Sequence, residues 1–103
     1  MIGIYCRISK HKEKGKDVSI ETQLQAGIAF AKTEGIEFKS FVDEGISGTK
    51  DEIKDRPEFA LMLDSIKKGL ITKVFCFDQS RIERNNRIWN LFTYTMIKYH
   101  CQY

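Results

Sequence analysis

Met1-Ile2-Gly3-Ile4-Tyr5-Cys6-Arg7-Ile8-Ser9 opens the chain, and its reading decides the fold. Ile2, Ile4, Cys6 and Ile8 recur at period two, while the other parity holds Gly3 and Tyr5 before it reaches Arg7. A strand with little polarity on either face until its end belongs at the centre of a sheet, covered on both sides. Lys10 to Asp17 is a lysine-rich polar loop. Ser19 then suits the cap of a helix with Ile20, Leu24, Gly27, Ile28 and Ala31 on one stripe, closed near Gly35. Ile36 to Val42 alternates as a second strand, and Asp43 to Asp55, with two glycines and many charges, reads as a long loop. Pro57 fits the first turn of a second helix, with Phe59, Met62, Leu63 and Ile66 inward and Lys67, Lys68 and Gly69 at its end. Lys73 to Phe77 is a third buried strand and Asp78 to Asn86 a polar turn. Arg87 to His100 is a last helix, with Ile88, Leu91, Phe92, Thr95, Met96 and Tyr99 expected inward.

Strand and helix alternating three times predicts an open, three-layer α/β sheet, mainly parallel, with helices on both faces. In such sheets the working site lies outside the carboxyl ends of the strands. That rule selects Arg7-Ile8-Ser9, Asp43-Glu44-Gly45, and Asp78 to Arg84.

The chain has 103 residues, enough for one domain with one modest core. Hydrophobic residues at 42% and charged residues at 30% exclude a disordered composition. No apolar run approaches the roughly 20 residues of a membrane helix, and the first residues lack the layout of a secretion signal. Lys and Arg number 17 against 14 Asp and Glu, a net +3 that permits nucleic-acid contact without marking a dedicated binder. Cys6, Cys76 and Cys101 form no zinc or disulfide spacing and read as free thiols. The expectation is a soluble, cytoplasmic domain with no membrane partner.

Arg7 and Ser9 stand two apart at the end of the first strand, so both side chains can point to one side. A hydroxyl beside a guanidinium is what attack on a phosphate requires: the arginine holds the non-bridging oxygens while the serine attacks. Arg81 and Arg84 are neighbours on one helical face, and Arg56 precedes the second helix near its positive end. Four arginines converging on one cleft would suit a pentavalent phosphate. Against that stands the ordinary fate of arginines, a solvated charged face. The lysines at 10, 12, 14 and 16 are equally compatible with a DNA backbone contact and with solvation. No GxxxxGK[ST] or GxGxxG loop is present, and His11 and His100 have no metal-ligand spacing. Asp43 and Glu44 could hold a divalent metal as in a receiver domain, but that reading wants a further acidic residue where Arg7 and Ser9 stand.

Five segments in order resemble the catalytic domain of the serine site-specific recombinases, the resolvase/invertase family, and most of all its large members from phages and mobile elements. They are Tyr5 to Ser9, Ser19 to Gln23, Asp43 to Thr49, Arg56 to Phe59, and Ser80 to Asn85. The resemblance implies that Ser9 is the nucleophile that attacks a DNA phosphodiester, forming a 5′-phosphoserine link and freeing a 3′ hydroxyl. It implies that Arg7, Arg56, Arg81 and Arg84 bind the scissile phosphate, and that Gln23 has a supporting polar role. It further implies no metal or nucleotide cofactor, DNA as partner, and self-association of the full-length protein as dimers and as tetramers on paired sites.

Two departures qualify it. The family commonly has Asp-Arg where this chain has Ser80-Arg81, which places proton transfer in question and leaves Asp78 as the nearby carboxylate. The family's catalytic domain also continues through another strand into a long subunit-joining helix and a DNA-binding region. Residues 1–103 therefore read as a catalytic-domain fragment not competent for full recombination by itself. The alternative is a non-catalytic α/β binding module derived from the same fold.

Overall fold

The computed structural model describes residues 1–9, 19–46, 56–77, 86–99 and 101, with the side chains of residues 8, 9, 45, 46, 86 and 87 left aside. Three strands and three helices alternate: β1 (Ile2–Ser9), α1 (Ile20–Glu34), β2 (Phe38–Ile46), α2 (Pro57–Lys67), β3 (Lys73–Cys76) and α3 (Asn86–Lys98). The strands form one parallel sheet in the order β2-β1-β3, so the opening strand is central as its two apolar parities require.

The parities of β1 separate the two cores. Ile2, Ile4 and Cys6 meet Ala31, Leu24 and Ile28 of α1 on one face. Tyr5 joins Phe59, Met62 and Leu63 of α2 and Ile88, Phe92 and Met96 of α3 on the other. The α1 side needs a glycine: a Cβ on Gly27 would stand 2.5 Å from Cγ2 of Ile4. Ser19 caps α1 by accepting from the Thr22 amide, and Gly35 ends it at φ 67°, where a side chain would be strained.

Two expectations change. The second strand begins at Phe38 and runs to Ile46, so Asp43 to Ile46 is strand and not loop. The reason is pairing: Arg7 faces Asp43, Ile8 faces Glu44, and Ser9 faces Ile46, which supplies backbone partners that charge and glycine content conceal. The register slips between Ile8 and Ser9, leaving Gly45 as the extra residue of a bulge. In α3, Leu91 and Tyr99 are 36% and 37% exposed. Leu91 lies at the edge of the stripe made by Ile88, Phe92, Thr95 and Met96, and Tyr99 falls beyond the last helical residue. The loop predicted at Lys10 to Asp17, residues 47–55, and residues 78–85 of the turn predicted at Asp78 to Asn86 lie outside the described residues, while Asn86 opens α3.

Candidate active site

At the carboxyl end of β1 the sheet changes from apolar to charged. Arg7 is buried on the parity of Tyr5, and Arg56, immediately before α2, is completely buried. Arginines are almost never fully buried unless paired, because desolvating the charge costs several kcal/mol by rough estimate. Asp43, itself buried, is the direct Cα partner of Arg7 on β2.

Both oxygens of Asp43 are engaged. Oδ1 accepts from the amide of Glu58 at 3.1 Å, and Oδ2 accepts from the amide of Phe59 at 3.0 Å and from the Tyr5 hydroxyl at 2.8 Å. A helix leaves its first amides without intrahelical partners, normally met by a capping side chain one to three residues earlier. Arg56 occupies the cap position of α2 and makes no such bond. A carboxylate from β2 does that work across the fold, favoured by the positive end of the helix dipole.

The rings complete the circuit. The Arg56 guanidinium lies 5.7 Å from the centre of the Phe59 ring, and Phe59 meets Tyr5 edge-on at 5.1 Å. Burial pushes the Tyr5 hydroxyl far above its ordinary pKa; Arg56 and Arg7 oppose that rise while Asp43 adds to it. Both guanidiniums thus lie close enough to act on the same phenol. Tyr5 remains protonated at physiological pH and serves as a donor, not as a nucleophile or base.

Gln23 of α1 fixes the main chain from which Arg7 projects. β3 pairs with β1 only as far as Tyr5. Beyond that point the Gln23 amide acts as a substitute peptide: its Oε1 accepts from the Arg7 amide at 3.2 Å, and its Nε2 donates to the Arg7 carbonyl at 3.1 Å. Gln23 is fully buried, so these bonds also satisfy its own polar atoms.

Of the predicted site residues, Arg7, Arg56 and Gln23 are brought together at this end of the sheet. Ser9 closes β1 two residues beyond Arg7, with its side chain outside the described residues. Arg81, Arg84, Asp78 and Ser80 also lie outside them. Sequence reasoning missed the roles of Asp43 and Tyr5. Asp43 was considered only as a metal ligand, whereas its oxygens serve Tyr5 and α2, and among the described residues no three His, Cys, Asp or Glu side chains gather as a metal site. Pro57 announced a helix start without a local cap, which was the available signal for a cap from elsewhere.

The fold and this end of the sheet define a class: a parallel α/β domain with Arg7 and Arg56 buried near the carboxyl end of the central strand, which Ser9 closes. Residues 2–101 match the family described as "Resolvase, N terminal domain", and the chain belongs to that family. It is 37% identical over 84 residues to a protein of Bacillus subtilis (strain 168) named "Putative DNA recombinase". That similarity covers 82% of this chain and 16% of the relative, so the chain spans a small part of that protein's length. The crystal structure of the N-terminal catalytic domain of TP901-1 integrase has the same fold, with a TM-score of 0.79 at 20% identity, covering 97% of this chain and 72% of that one.

Proposed function

We propose that the chain is the catalytic domain of a large serine recombinase that cleaves and rejoins DNA through a 5′-phosphoserine. The observation that carries this reading is the burial of Arg7, two residues before Ser9 on β1, and of Arg56, at the start of the helix whose first amides bond the register partner of Arg7. The relative named as a DNA recombinase supports DNA as the substrate.

In the proposed step the Ser9 oxygen forms a bond to phosphorus and the bond to the 3′ oxygen breaks. The serine proton is lost and the departing 3′ oxygen gains one. Reversal with a different 3′ hydroxyl rejoins the strand, and the phosphoserine bond conserves the energy of the original linkage. Arg7 and Arg56 hold the non-bridging oxygens, whose charge grows in the transition state. Arg81 and Arg84 complete the phosphate grip, Asp78 or Ser80 assists near the leaving oxygen, and self-association brings paired DNA sites together.

The test uses the full-length protein and plasmid DNA carrying its recombination sites. The wild-type protein yields a DNA-linked species that survives denaturation, and Ser9→Ala yields none. Adducts at wild-type level from Ser9→Ala would refute the nucleophile assignment.

A further inference from the structure

The last helix, α3, has two apolar faces. The inner one is buried through Ile88, Phe92 and Met96, and even the polar Thr95 turns inward there, its hydroxyl donating to the Leu91 carbonyl at 2.8 Å. The outer one presents Leu91, Tyr94 and Ile97, three residues apart and so neighbours along the helix, at 36%, 60% and 78% exposure. Exposed apolar side chains scattered singly are ordinary, whereas a run of them on one helical face marks an interaction site. We propose that this outer stripe of α3 docks an acidic amphipathic helix of a partner protein. The proposal stands apart from the strand-transfer reading above.

Charge selects the partner. No aspartate or glutamate follows Glu83 in the chain, so the charged residues of α3 are Arg87 and Lys98 alone, both positive. Lys98 stands at the end of the stripe, its Nζ 5.6 Å from the centre of the Tyr94 ring and 5.7 Å from that of Tyr99. The two rings set the ammonium beside the apolar residues. An incoming carboxylate would meet a positioned cation at the rim of an apolar contact, which fixes register and rejects partners of the wrong charge. A second copy of the same face would bring only further positive charge to α3. Leu91 and Ile97 offer nothing to a phosphate backbone, which favours a protein over a nucleic acid. Size selects a helix: from residue 91 to residue 97 the stripe is about 9 Å long, the width of one crossing helix.

The test uses the full-length protein and a fluorescein-labelled helical peptide with leucines on one face and glutamates on the other. Its counterpart carries lysines in place of the glutamates. Fluorescence anisotropy is expected to give the acidic peptide a Kd on the order of 10 μM, as suits a small interface, and the basic one a value at least about 10-fold higher. Tyr94→Ser and Ile97→Ser should each weaken the acidic peptide about 10-fold, and Lys98→Glu should invert the preference between the two peptides. These three side chains are exposed, so the variants leave the core intact. Gln25→Ser, exposed on α1 across the sheet, should bind as the wild type does.

Equal binding of the acidic and basic peptides would overturn the proposal, as would an affinity indifferent to Tyr94→Ser and Ile97→Ser. Displacement of the acidic peptide by an equal concentration of a short duplex oligonucleotide would assign the face to nucleic acid instead. Failure of the acidic peptide to bind would mean that the rest of the protein or a second copy covers the stripe, and would overturn the proposal equally.

Discussion

The two faces of the sheet are built by opposite means. The α1 face is mainly apolar, with Gln23 and the Glu34–Lys73 ion pair as polar contacts among the described residues, and Gly27 lets the helix approach Ile4 so closely that a methyl group has no room. The α2 face carries an apolar floor of Phe59, Met62 and Ile66, with a charged corner of Tyr5, Arg7, Asp43 and Arg56 above it. The first face is changed mainly in volume. The second couples volume to charge, since Phe59 both fills the core and supports Arg56. The difference shows how a small domain accommodates a charged corner: it builds that corner on the layer with two helices and leaves the other layer mainly to packing.

Phe59→Ala should strike this comparison hardest. It empties a buried ring position that contacts both Tyr5 and Phe92, which should cost about 3–5 kcal/mol. Chemical denaturation measures the loss, and guanidinium NMR should show Arg56 disturbed as well. A stable variant with unperturbed arginines would break the claimed coupling of core and corner.

Gly27→Ala is the matching change on the other face. Better helix propensity contributes up to about 1 kcal/mol, but overpacking against Ile4 costs about 1–3 kcal/mol, so the sign is destabilising. Here the arginine signals should stay where they are in the wild type. Stabilisation by this substitution would mean that α1 does not press on β1 as closely as described.

Tyr5→Phe should have the smallest effect, about 1 kcal/mol at neutral pH, from the lost hydrogen bond to Asp43. Its signature is in pH. The native phenol is raised far above the unfolded value near 10. Above that value the unfolded state has lost a proton that the native state still holds, so wild-type stability falls as pH rises through about 10. Comparing denaturation midpoints at pH 8 and pH 11 should show a steeper fall for the wild type than for Tyr5→Phe. Parallel falls would place the Tyr5 hydroxyl in water.

Much of the fold was legible because period and punctuation are local. Ile2, Ile4 and Cys6 alternate, Ser19 and Gly35 bracket α1, and Pro57 starts α2, each a signal within a few residues. The length of β2 was not legible, because Asp43, Glu44 and Gly45 carry no strand propensity and are strand only through pairing with β1. Leu91 and Tyr99 misled for the opposite reason: their periodicity is correct, but the core does not extend far enough to cover them.

The candidate site divides in the same way. The residue types and their order pointed to Ser9 with Arg7, Arg56, Arg81 and Arg84 as a phosphate-handling set, and the recombinase resemblance added Gln23 in a supporting polar role. The sequence also determined the central strand and the alternation that sends helices to both faces. Only the tertiary structure showed that Asp43 caps a helix beginning 14 positions later in the chain, that Tyr5 is a donor to it, and that Gln23 bonds the main chain of Arg7. Hydrogen bonds and buried charges depend on which distant groups arrive at the same point. A linear pattern records each residue's nature and leaves that meeting to the fold.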